Sequence, residues 1–163
     1  MTTEQLDWIE REAQRNYDFR LQSFEALRKE AVTMLALIVA LGGAALGFAL
    51  DSASGGPAWL TASAFALAFY LACAAAALVL RGLWTADFFP PSNEPGALAG
   101  AFEDGAFTLE EVRAVELDNL RERIRSNRLR VDHLGATINR VWLALASAPI
   151  VWAAAAAVAR VLV

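Results

Sequence analysis

Residues 31–50, AVTMLALIVALGGAALGFAL, run for twenty positions without a charged side chain. At ~1.5 Å per helical residue, such a segment matches the ~30 Å hydrocarbon core of a bilayer. Lys29 and Glu30 close it on one side and Asp51 closes it on the other. A membrane-spanning helix is therefore the first element to place, and the rest of the chain is read around it.

Composition supports this placement. Hydrophobic residues make up 57% of the chain, above the ~45–50% of ordinary soluble domains. The excess is gathered in three blocks separated by strongly charged segments, which predicts an all-α, polytopic membrane protein with three spans. The net charge is −4, from 14 basic and 18 acidic residues, so no global positive field recruits nucleic acid. Cys73 is the one cysteine and lies in an apolar block, which excludes an intramolecular disulfide and argues against a cysteine metal site. The first residues, MTTEQLDWIEREAQ, are acidic and amphipathic and lack a basic n-region. The expectation is an uncleaved first span serving as its own insertion signal.

Before that span, Leu6, Ile9, Ala13, Tyr17, Leu21, Phe24, Leu27 and Ala31 recur at steps of three or four with no Pro or Gly between them. The pattern predicts one amphipathic helix over residues 1–30, continuous with span one at 31–50. It would pack on another helix of the protein; lying flat on the bilayer suits it less, because its polar face is acidic. Gly43 and Gly47 stand in a small-xxx-small register that allows close backbone approach in lipid. Span two is the expected neighbour there, ahead of a second copy. Residues 51–57, DSASGGP, read as an external turn, with Pro57 in the first turn of span two. That span covers 58–80, with Trp59 at one interface and Arg81 and Trp84 at the other. Residues 81–107 read as a loop from their prolines and glycines. Its Phe88, Phe89, Phe102 and Phe107 either dip into the interface or cover the helices beside it.

Thr108 and Glu111 form a capping-box pattern that starts a helix over 108–140. From there Leu117, Leu120, Ile124, Asn127, Val131, Leu134, Ile138, Val141 and Leu145 alternate by three and four. This is a heptad seam with Asn127 as its polar packing position, although a plain amphipathic helix shows much the same pattern. It leads into span three at 141–163, where Pro149 removes one helical bond and is expected to kink the helix. The segments flanking spans one and three on one side carry 13 of the 14 Lys and Arg. The positive-inside rule then puts the N-terminus and the 81–140 connection in the cytoplasm and the C-terminus outside, in a bacterial inner membrane.

With spans one and three entering from the same side, the preceding helices align in parallel as a two-helix cytoplasmic stalk. The Arg-rich run 121–130 then faces Glu10, Glu12 and Asp18, as a solvated face with interhelical pairs or, less well supported, as an anion site. Further out, Glu103, Asp104, Glu110, Glu111 and Glu116 join Glu4, Asp7 and Glu10 in an acidic tip. The expected occupant of that tip is a basic protein partner. His133, the one histidine, fits a helix surface better than a general base. No nucleophile–base pair, paired carboxylate or metal-ligand set stands out, so neither catalysis nor a cofactor is expected. No ionisable residue falls near the middle of a span, which disfavours a transporter.

The segment 11–48, REAQRNYDFRLQSFEALRKEAVTMLALIVALGGAALGF, pairs a charged helix with an aromatic–Glu–x–x–Arg–Lys–Glu–Ala run leading into the span. It resembles the leading segment of small transmembrane effectors of prophages and anti-phage loci, of the Pycsar and SLATT types. That resemblance implies self-association in the inner membrane and membrane permeabilisation, and it carries over no functional residue. Two functions are therefore expected: an anchor or scaffold subunit that binds a partner, or an oligomerising, holin-like effector.

Overall fold

A computed structural model describes residues 3–84, 88–90 and 108–162. Among them all regular structure is helical: α1 spans Thr3–Ala53, α2 spans Ala58–Leu78 and continues as a π-helical turn, Val79–Leu83, and α3 spans Leu109–Leu162. Each is long and apolar enough to cross a membrane, with α2 counted through Leu83. In the most apolar window of each, only 17%, 28% and 6% of the residues are buried, so most of this apolar surface needs a nonaqueous neighbour. Helices meet that demand in lipid because their backbone bonds are satisfied internally.

The chain divides into two compact units. Unit 1 comprises Met1–Ala26 and Asp87–Asp132, and unit 2 comprises Leu27–Ala86 and His133–Val163. In unit 1 the first part of α1 lies along the first part of α3. Leu6, Tyr17 and Phe24 are buried from one helix and Leu117, Leu120 and Asn127 from the other. These belong to the two periodic stripes, and burying an apolar stripe is what holds an amphipathic helix in water. Phe88, half-buried, packs on α1, its ring 5.4 Å from Tyr17 and 5.2 Å from Phe24. It thereby covers part of the apolar stripe of α1. Phe102 and Phe107 lie outside the described residues.

In unit 2, α2 runs antiparallel to α3. Gly82 lies against Leu134 and Thr137, Tyr70 bonds to Ala144 and Ser147, and Arg160 sits 3.9 Å above the Trp59 ring. The core combines Met34 and Ile38 of α1, Leu71 and Leu78 of α2, and Leu134 and Ile138 of α3. Polar groups at this depth are satisfied within the bundle. The Tyr70 hydroxyl reaches Ser147 Oγ at 2.7 Å and the Ala144 carbonyl at 3.1 Å, and Ser63 donates to the Leu60 carbonyl at 2.9 Å.

Several boundaries differ from those read in the sequence. Asp51–Ala53 complete α1, so the turn shrinks to residues 54–57. It is closed by Ser54 and Gly56 amides donating to the carbonyls of Asp51 and Ser52. A Cβ on Gly56 would lie 2.8 Å from the Ser52 carbonyl oxygen, so this turn needs glycine. Pro57 takes the cap position before α2, not its first turn. Residues 81–83, read as loop, remain helical because Trp84 donates to the Val79 carbonyl at 2.8 Å in a wider π-type ring. Pro149 lies inside α3 without interrupting it.

The small residues also take different places. Gly43 and Gly47 are exposed, and a Cβ on either would meet nothing within 4 Å. They do not pack on span two. The helical glycines that face neighbours are Gly42, whose Cβ would lie 3.6 Å from Leu71 Cβ, Gly82, whose Cβ would lie 3.3 Å from Leu134 Cδ1, and Gly135, whose Cβ would lie 4.0 Å from Leu27 Cδ1. Every face of a span is apolar, so spacing alone does not say which one meets a helix.

Candidate functional site

Unit 1 carries a set of specific contacts built around the backbone of Phe89. Asn127 is fully buried, and its carboxamide grips Phe89 from both sides. The Phe89 amide donates to Asn127 Oδ1 at 3.0 Å, and Asn127 Nδ2 donates to the Phe89 carbonyl at 3.2 Å. The Tyr17 hydroxyl donates to the same carbonyl at 2.7 Å. Burial pushes the Tyr17 phenol up, and Asp18 adds to the shift against an opposing effect of Arg123, so the hydroxyl stays protonated as a donor. The Arg130 guanidinium lies 4.3 Å above the Phe89 ring, a cation–π contact. The heptad asparagine thus serves as a receptor for the Phe89 backbone. Its burial was legible from the seam; its partner lies 38 residues away and has no periodicity to announce it.

The acidic end of unit 1 contains a cation that the sequence reading did not single out. Arg113 binds Glu10 through two bonds, Nε to Oε1 at 3.0 Å and Nη2 to Oε2 at 2.7 Å, and also donates to Asp7. This bidentate fork is the geometry that suits guanidinium to carboxylate, and these carboxylates hold the Arg113 guanidinium more firmly protonated than usual. One arginine therefore relieves the repulsion expected between the two helices. Within the Arg-rich run, Arg123 of α3 acts electrostatically on Tyr17 of α1, while two other arginines pair along their own helix. Arg125 pairs with Glu122 and Arg128 with Asp132, both along α3, while Glu12 pairs with Arg15 along α1.

The five acidic residues assigned to partner binding separate by environment. Glu110 is exposed. Glu111 closes the capping box: the Thr108 amide and hydroxyl donate to Oε2 at 2.8 and 2.9 Å, and the Glu111 amide lies 3.3 Å from Thr108 Oγ1. Glu116 is half-buried, lying 3.8 Å from Arg123 and accepting from Asn119 at 3.3 Å, which makes it part of the helix's own network. Glu103 and Asp104 lie outside the described residues. Exposed beside this end is Trp8, at 62%, in a concavity of about 390 Å³ lined by Glu4, Gln5, Trp8 and Ile9. Sequence periodicity hid it, because Trp8 falls just off the apolar stripe.

The two Thr108 hydrogen bonds hold the Glu111 carboxyl below the ordinary carboxylate range. A carboxyl lowered in the folded state stabilises at neutral pH, and the contribution is lost as pH falls through the lowered value. The first turn of α3 is thus expected to fray on acidification from neutral pH to about pH 3. Amide exchange at residues 109–112 measures this. Glu111→Ala should fray the turn at neutral pH and flatten the pH dependence; an unchanged profile would refute the role of the carboxylate.

His133 is exposed on α3, and no group of three or more His, Cys, Asp or Glu among the described residues is placed to hold a metal ion. No protein-family model matches the chain, and comparison with curated proteins and with solved structures finds no match.

Proposed function

We propose that this protein is a non-enzymatic membrane anchor or scaffold. In this reading three helices hold it in a bacterial inner membrane, N-terminus cytoplasmic and C-terminus external, and the helix pair of unit 1 is a cytoplasmic stalk. The stalk binds a protein partner that presents basic and apolar residues together. The observation that carries this is the exposed Trp8 in its concavity beside Glu4, at the end where Glu110 is also exposed. A solvent-facing tryptophan is a typical anchor for an interface, and the carboxylate of Glu4 beside it favours a basic partner by steering its approach.

The test is photocrosslinking in cells from a reactive amino acid placed at Trp8. A discrete adduct is expected, reduced about tenfold, or ~1.4 kcal/mol, by Glu4→Lys with Glu110→Lys. Reversal of Glu111 or Glu116 is avoided because each holds its own helix together. Undiminished crosslinking in the reversed variant would overturn the proposal.

A second reading, an oligomerising membrane-perturbing effector, draws on the open face of Ala36, Ala40, Gly43 and Gly47, all exposed on α1, and on the resemblance noted above. Induced expression with a membrane-potential dye separates the two: rapid depolarisation favours the effector, and harmless accumulation favours the scaffold.

A further inference from the structure

Unit 2 contains an apolar groove of about 510 Å³, within the ~300–1,000 Å³ usual for small-molecule sites. Leu37 and Leu41 of α1, Leu71 of α2, and Trp142, Pro149 and Trp152 of α3 form its walls. Along α3 it reaches from Trp142 to Trp152, which is ~15 Å at the helical rise and about half of a ~30 Å hydrocarbon core. The groove is therefore one leaflet deep.

Its shallow end is marked by a polar contact, the Trp142 indole donating to Glu30 at 3.1 Å. Arg28, Lys29 and Arg140, each within two residues of that pair, are exposed. Basic side chains at this level favour an anionic headgroup. We infer that the groove holds one acyl chain of an anionic phospholipid, with its headgroup at the Lys29–Arg140 level.

The lining argues for the occupant. It is apolar along its length, which suits a hydrocarbon chain, and the exposed basic side chains at its shallow end suit the anionic headgroup that such a chain carries. Water lacks the two to four polar partners it needs. An empty groove would forfeit the dispersion contacts of its lining.

Native mass spectrometry of the full chain, extracted from vesicles of equimolar phosphatidylcholine and phosphatidylglycerol, tests the inference. Retention of a single phosphatidylglycerol is expected. Ala146→Phe, which fills the groove from its α3 wall, should cut retention about tenfold. Lys29→Gln with Arg140→Gln, on exposed positions, should abolish the preference for phosphatidylglycerol at unchanged thermal stability. No retained lipid, or retention indifferent to both variants, would overturn it. So would efficient disulfide formation between copies by Ala146→Cys in a Cys73→Ser background, which would assign the groove to a second copy.

Discussion

Asn127→Leu is expected to destabilise unit 1 by about 1–3 kcal/mol, although leucine is the better residue for a heptad seam. The two effects oppose each other at one position. Leucine adds apolar burial at a site that is fully buried. Against that, it leaves the Phe89 amide without its acceptor and the Phe89 carbonyl with Tyr17 as its remaining donor of the two in unit 1. Unsatisfied backbone groups cost ~1–3 kcal/mol each when buried. Phe89 is 43% exposed, so water recovers part of that cost, yet the loss exceeds what an apolar contact returns. Hydrogen exchange over residues 3–26 and 109–132 reads the outcome, with ~1.4 kcal/mol appearing as a tenfold faster opening. Tyr17→Phe should produce a smaller change, since Asn127 still serves the carbonyl. Equal or greater protection in Asn127→Leu would mean that the seam, not the grip on Phe89, sets the stability of this unit.

The same residue shows how far the sequence carried. Helical periodicity reports which stripe is buried, and it did so for Leu6, Tyr17 and Phe24 and for Leu117, Leu134 and Ile138. Local chemistry was equally legible: Thr108 and Glu111 are three residues apart, and their reciprocal bonds depend on nothing else. What escaped was nonlocal. Asn127 was recognisable as a buried polar position, but its partner is a backbone in an aperiodic segment. Arg113 was obscured by the acidic residues around it, because counting charges along one helix does not reveal a fork that reaches Asp7 and Glu10 on another. Among the spans, where all faces are apolar, spacing singled out Gly43 and Gly47, while packing uses Gly42 and Gly82.

That last difference yields a sharp contrast. Gly82→Leu is expected to destabilise unit 2 by about 1–3 kcal/mol, the usual cost of overpacking. Its first side-chain carbon alone would stand 3.3 Å from Leu134 Cδ1, 3.4 Å from Leu78 Cδ1 and 3.6 Å from Thr137 Cγ2. Leu78 and Leu134 are themselves almost fully buried, so neither side chain has room to swing away, and the added atoms must push α2 from α3. At Gly43 and Gly47 an added Cβ meets nothing within 4 Å, so Gly43→Leu and Gly47→Leu should not destabilise the chain. Thermal unfolding of the three variants in one detergent provides the comparison, with self-association measured alongside. Equal destabilisation by all three would contradict this helix arrangement. Loss of self-association confined to Gly43→Leu and Gly47→Leu would identify their open face as the surface through which copies meet, because the close backbone approach that glycine permits in lipid is then used between chains and not within one.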